Sequence, residues 1–155
     1  MRQVGADAVM DAPKLADLAV EEALVAALLL HEDFGGLEEC DDDELFYDHT
    51  RAIVSAVRVL RGKDKPCGTV FVLAMLASQG KLDEVEWKGD SGEVCVIDLL
   101  SRHMLNVETF YSRQLGKLVR YFANKRKALR EAQDAALRTF EEVYVDARKR
   151  YEGEM

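Results

Sequence analysis

The side chains that could do chemistry in this 155-residue chain are three cysteines, three histidines and an uneven supply of charge. Cys40, Cys67 and Cys95 lie 27 and 28 residues apart, with no CxxC and no nearby CxxH. That spacing suits neither a zinc site nor a disulfide framework, and reads as three unpaired thiols in a reducing compartment. His31, His49 and His103 stand singly, without HExxH or HxH spacing, and read as helix-end or surface residues. A P-loop needs G-x-x-x-x-G-K-[ST], because backbone N–H groups, a lysine and a hydroxyl hold phosphates and Mg²⁺ together. Gly62-Lys63, Gly80-Lys81 and Gly116-Lys117 have neither the following Ser or Thr nor the earlier Gly. No G-x-S-x-G or G-x-G-x-x-G is present, and the acid pairs Glu21-Glu22 and Glu141-Glu142 read as solvated helix surface. The expectation is a protein that is not an enzyme and takes no cofactor and no catalytic metal.

Charge is more informative. The formal net charge of −8 resolves into −1 over residues 1–20, −11 over 21–50, 0 over 51–100 and +4 over 101–155. The densest acidic stretch is Glu38, Glu39, Asp41, Asp42, Asp43 and Glu44, and residues 21–50 contain no Lys or Arg. This shoulder repels phosphate backbones. It lacks the D-x-[DN]-x-[DN]-G pattern of a calcium loop, so it reads as a solvated loop before a helix, with a metal-dependent enzyme as the least favoured alternative. Near the C-terminus, Arg113, Lys117, Arg120, Asn124 and Lys127 recur at steps of 4, 3, 4 and 3, which puts a basic ridge on one helix face.

Positioning these groups falls to helices. The apolar fraction of 48% supports a real core in one domain. The longest apolar run, Ala23–Leu30, is eight residues, far short of the ~20 that a membrane span needs. No secretory pattern opens the chain, and a cytoplasmic location follows by default. A first helix is expected over about 14–32, entered through Asp11 and Pro13 and stopped by Gly35-Gly36. Being apolar on every face, it should be central and buried. A second helix is expected from an Asp43 N-cap to Gly62, burying Phe46, Thr50, Ile53, Val57 and Leu60, with Arg51, Ser55 and Arg58 wet. A third is expected from a Thr69 cap to Gly80. Glu84–Gly92, with Trp87 and Gly89, reads as a loop, and Val94–Met104 as a short helix.

From an Asn106 N-cap, Val107–Tyr151 contains no Pro and one Gly, so a long helical element is expected. Unbroken, it would reach roughly 65–70 Å. A body made of the preceding residues would be only about 30–35 Å across. The element must therefore protrude or double back near Lys125 as a helical hairpin. Its stripe is Val107, Tyr111, Leu115, Leu118 and Phe122, then Leu129, Ala132, Ala136, Phe140, Val143 and Ala147, close to a heptad spacing. Large apolar side chains are worth ~1.5–3 kcal/mol each when buried, so the distal set calls for a hairpin arm or a second chain. The expected self-association residues are Leu129, Ala136, Phe140, Val143 and Ala147; the expected partner or nucleic-acid contacts are Arg113, Lys117, Arg120 and Lys127.

Four blocks in order resemble the N-terminal domain of DnaB-type replicative DNA helicases. They are Glu21-Glu22-Ala23-Leu24-Val25-Ala26-Ala27-Leu28-Leu29-Leu30; Asp43-Glu44-Leu45-Phe46-Tyr47 with Thr50-Arg51-Ala52-Ile53-Val54; Leu76-Ala77-Ser78-Gln79-Gly80-Lys81-Leu82 with Asp83-Glu84-Val85; and Asn106-Val107-Glu108-Thr109-Phe110-Tyr111. The likeness spans about residues 15–130. It departs from the family pattern in having no Pro before Asn106, a single Gly92 where the family has Gly-Gly, and Thr50 or a shifted His49 where the family often has His. The resemblance implies non-catalytic work: pairing through a helical hairpin, support of a helicase ring and contact with a DnaG-type primase. There is no room in 155 residues for the family's ATPase domain. The chain is expected to be either a piece of a helicase or a free-standing protein of a phage or mobile element.

The expected fold is therefore all-α: a flexible segment 1–13, a small helical bundle over 14–105, a long helix or helical hairpin over 106–151, and a tail 152–155. The expected function is a protein-interaction and oligomerisation module of the replication machinery. It would form a dimer or higher homo-oligomer and bind a replicative helicase, a primase or both, without a membrane. The alternative is a nucleic-acid-binding helical protein that uses the basic ridge, with affinity falling steeply with salt.

Overall fold

The computed structural model describes residues 15–86, 90–103 and 111–154. Among them the regular structure is entirely helical, so the all-α expectation holds. The α-helices are α1 (Leu18–Leu30), α2 (Asp48–Gly62), α3 (Thr69–Ser78), α4 (Gly92–His103) and α5 (Ser112–Glu154), with single 3₁₀ turns at Gly35–Glu38, Asp42–Glu44 and Leu82–Val85. Residue contacts divide the chain into two units, Met1–Ala123 and Asn124–Met155. The expectations for segment 1–13, Asp11, Pro13, Trp87, Gly89, Asn106 and Val107 fall outside the described residues.

In the first unit, α1 is the central element that its all-apolar composition requires: Leu24, Val25, Ala26, Ala27, Leu28 and Leu29 are all buried. It is shorter than the expected 14–32. Asp17 is its N-cap, with the carboxylate accepting from the Val20 N–H at 3.2 Å. The chain turns at Glu32, in the left-handed region, before Gly35 is reached. Helix α2 packs Ile53, Val54, Val57 and Leu60 into the same core. It begins five residues after the expected Asp43 cap. Asp43 lies instead in a 3₁₀ turn that closes through a capping box between Asp41 and Glu44. Phe46 consequently precedes the helix and is exposed. Arg51, Ser55 and Arg58, expected to be wet, are half-buried.

Helix α3 starts at Thr69 itself, behind Gly68, and receives no side-chain cap. Gly80, at φ 68°, supports the turn that follows it. The expected loop at 84–92 is partly regular: a 3₁₀ turn takes its first residues and Gly92 opens α4. Gly92 is a packing requirement, because a Cβ there would stand 2.6 Å from the Leu82 carbonyl oxygen.

Helix α5 has 43 residues in one run. The hairpin alternative is therefore not taken, since the i→i−4 ladder continues through Lys125-Arg126-Lys127 and no Pro or Gly interrupts it there. The helix also includes residues 152–154, which had been expected as a tail. Its first turns belong to the first unit, where Leu115 and Val119 join the apolar core. Tyr111, expected in the buried stripe, precedes the helix and is exposed.

Candidate functional site

Three constellations of polar or exposed side chains follow from this packing. The first is a clasp of buried carboxylates. Glu21 and Glu22, expected to be solvated, are 3% and 2% exposed. Because α1 is surrounded on every side, both acids are carried inside and must be satisfied there. Glu21 accepts the N–H groups of Phe46 (2.9 Å) and Tyr47 (3.2 Å) and the Thr50 hydroxyl (2.6 Å), thereby fixing the start of α2. Glu22 accepts two bonds from Arg102, at 2.8 and 3.2 Å, and one from His49 Nε2 at 3.2 Å, and has His103 Nε2 at 3.6 Å. His49 thus stands in the first turn of α2, as the helix-end reading expects, but it is buried.

Burial alone would raise the Glu22 carboxyl, but the bonds from His49 and Arg102 outweigh it and hold the group below the ordinary carboxylate range. Glu22 in turn raises the Arg102 guanidinium. The adjacent cavity, lined by Glu22, His49, Val85, Cys95 and Leu99, has a volume of ≈ 30 Å³, enough for about one water and too small for a substrate. Among the described residues no group of three or more His, Cys, Asp or Glu is arranged to hold a metal ion. What the cluster does is tie α1, α2 and α4 together.

The second constellation joins the acidic shoulder to the start of α5. Arg113 reaches Glu38 at 3.0 Å and Glu39 at 2.7 Å; Arg120 reaches Glu44 at 3.1 Å and Asp41 at 3.8 Å. Arg58 of α2 holds Asp42 and the Cys40 carbonyl from the other side. Beneath these pairs, the Gly36 N–H donates to the Ser112 hydroxyl at 2.8 Å and the Ser112 N–H donates to Asp33 at 2.8 Å. That backbone donor keeps the Asp33 carboxyl below its ordinary value. Two glycines permit the approach: a Cβ on Gly36 would lie 2.4 Å from the Ser112 carbonyl oxygen, and one on Gly116 would lie 2.6 Å from that of Gly36. In the sequence Gly36 reads only as a helix stop and Gly116 only as half of a Gly-Lys pair that fails the P-loop pattern.

Of the expected ridge, then, Arg113 and Arg120 are committed to carboxylates of the same chain. Lys117 and Lys127 are exposed and make no ion pair among the described residues. The acidic shoulder and the start of the basic helix thus neutralise one another locally.

The third constellation is the apolar face of residues 124–154. All five expected self-association residues, Leu129, Ala136, Phe140, Val143 and Ala147, are exposed on α5. Phe140 and Val143 are 67% and 63% exposed, and Leu137, Tyr144 and Val145 are exposed beside them. These large apolar side chains recur along one element and leave the apolar surface of residues 124–154 in solvent. No described helix is long and apolar enough to cross a membrane.

No protein-family model matches the sequence, and no curated protein matches it. Among solved structures, the chain is similar to the crystal structure of the N-terminal domain of DnaB helicase from Mycobacterium tuberculosis. The TM-score is 0.67 at 19% identity, over 81% of this chain and 86% of that one. The resemblance carried by the four sequence blocks is thus one of three-dimensional architecture, and this chain has the fold of the DnaB helicase N-terminal domain.

Proposed function

We propose that this protein is a non-catalytic interaction module of the replication machinery, which self-associates through the distal half of α5 and engages a replicative helicase or a primase. The observation that carries this reading is the exposed apolar face around Phe140 and Val143, on a chain with the DnaB N-terminal fold. Leaving several large apolar side chains in water forgoes ~1.5–3 kcal/mol apiece, a driving force for association that nothing else in the second unit uses. The buried polar groups of the first unit support a scaffolding role, because each is spent on joining helices. Light scattering tests the assembly: the parent chain is expected as a dimer or higher oligomer at tens of micromolar. Phe140→Asp with Val143→Asp should shift it toward the monomer while leaving the helical circular dichroism intact. A parent chain that is folded and monomeric at that concentration would sink the self-association reading. Pull-down by purified helicase and primase tests the partner.

A further inference from the structure

Another exposed surface lies wholly within the first unit, where the residues entering α2 meet the 3₁₀ turn at Leu82–Val85. Phe46, Tyr47 and Asp48 line one open groove together with Asp83, Glu84 and Glu86, and its volume is ≈ 370 Å³. That is room for a large side chain of another molecule. Its aromatic part is Phe46 against Tyr47, edge to face, with ring centroids 5.0 Å apart. Phe46 is 50% exposed, although burying such a ring is strongly favoured. The two rings are presented on fixed backbone, because Glu21 accepts the N–H groups of both residues. His49 also lines the groove and is tied back to Glu22.

The carboxylates of the groove lack counter-charge. Asp48 pairs with Arg51 at 3.1 Å, but Asp83, Glu84 and Glu86 are exposed and make no ion pair among the described residues. The acidic shoulder differs in this respect, since Arg58, Arg113 and Arg120 hold Asp42, Glu38, Glu39 and Glu44. An open aromatic ring framed by unmatched carboxylates complements a guanidinium, which is planar, always charged, stacks on rings and donates paired hydrogen bonds to carboxylates. The same charge repels a phosphate backbone. We propose that this groove docks an arginine-bearing segment of another protein, with a guanidinium against Phe46 and with Asp83 and Glu84 as its counter-charge. This docking is independent of self-association through residues 124–154.

The test uses the full chain and a fluorescein-labelled peptide of alternating arginine and serine, with binding followed by fluorescence anisotropy. Asp83→Lys with Glu84→Lys should weaken binding about tenfold, because each reversal removes an attraction and adds a repulsion. Glu141→Lys with Glu142→Lys makes the same change in net charge on α5 and should stay within about twofold of the parent. Phe46→Ala leaves every charge in place and should weaken binding about two- to fivefold, as expected of an exposed cation–π contact. The matching lysine peptide should bind less tightly than the arginine one. All five substituted side chains are exposed, so the helical circular dichroism of each variant should match the parent. A parent chain that does not bind the arginine peptide, equal losses from the groove and α5 reversals, or a Phe46→Ala chain that binds like the parent overturns the proposal. If the groove reversal instead changes the mass seen by light scattering, the occupant is a second copy and a separate partner is refuted.

Discussion

Gly116→Ala isolates the contact that seats α5 in the first unit. On a free helix the change would stabilise, since alanine is preferred to glycine in a helix interior by about 1 kcal/mol. Here the added Cβ would lie 2.6 Å from the Gly36 carbonyl oxygen, 3.0 Å from the Glu39 Cβ and 3.1 Å from the Gly36 Cα. Two of the three opposing atoms are backbone, and Gly36 is itself fixed by its N–H bond to the Ser112 hydroxyl. No side chain can rotate away from them, so α5 or the 3₁₀ turn must move. Overpacking of this kind costs about 1–3 kcal/mol, which exceeds the propensity gain over most of its range. The net expectation is a loss of up to about 2 kcal/mol, or up to roughly 8 °C in Tm for a chain of this size. Urea denaturation followed by circular dichroism measures it, with Gly153→Ala as the control because nothing lies within 4 Å of its added Cβ. The control should change stability by less than about 0.5 kcal/mol. A Gly116→Ala chain more stable than the parent would refute the close approach. Gly36→Ala should cost at least as much, its Cβ meeting the Ser112 carbonyl oxygen at 2.4 Å and a Leu24 methyl at 2.8 Å. The pair should be less than additive, because one displacement of α5 relieves both clashes.

Glu22→Gln should cost about 2–3 kcal/mol in the same denaturation assay, below the full range for breaking a buried ion pair because the Arg102 side chain is 45% exposed. Since the folded-state pKa of Glu22 lies below its ordinary value of 4.5, its charge contributes stability that is present above pH 4.5 and lost as the pH falls through the folded value. The acid limb of the parent's stability profile should therefore be steeper than that of Glu22→Gln; identical limbs would show that the clasp is not charged. Cys40, whose thiol burial pushes up to about 11, should react with a maleimide at pH 8 only as fast as the chain opens. Labelling of the native protein within seconds would contradict the packing around it.

Much of the helical plan was legible in the residues. An apolar run unbroken on all faces could only be a central helix, and the 3- and 4-residue spacing of Ile53, Val57 and Leu60 could only be one face of another. The near-heptad stripe beyond Lys127, with no Pro and one Gly after Gly116, already announced an apolar face longer than a small body can cover. Legibility stopped where a side chain's role depended on distant partners. Glu21-Glu22 reads as surface in any local window, and becomes a buried clasp only because Thr50, His49 and Arg102 arrive from two other helices. Periodicity could place Arg113 and Arg120 on one face but could not say that this face meets Glu38, Glu39 and Glu44, more than 70 residues earlier. Composition and period fix which elements form, because propensity and amphipathicity act over a few residues. Which charges cancel, and which glycines exist so that two backbones can touch, are long-range pairings that only the folded chain brings about.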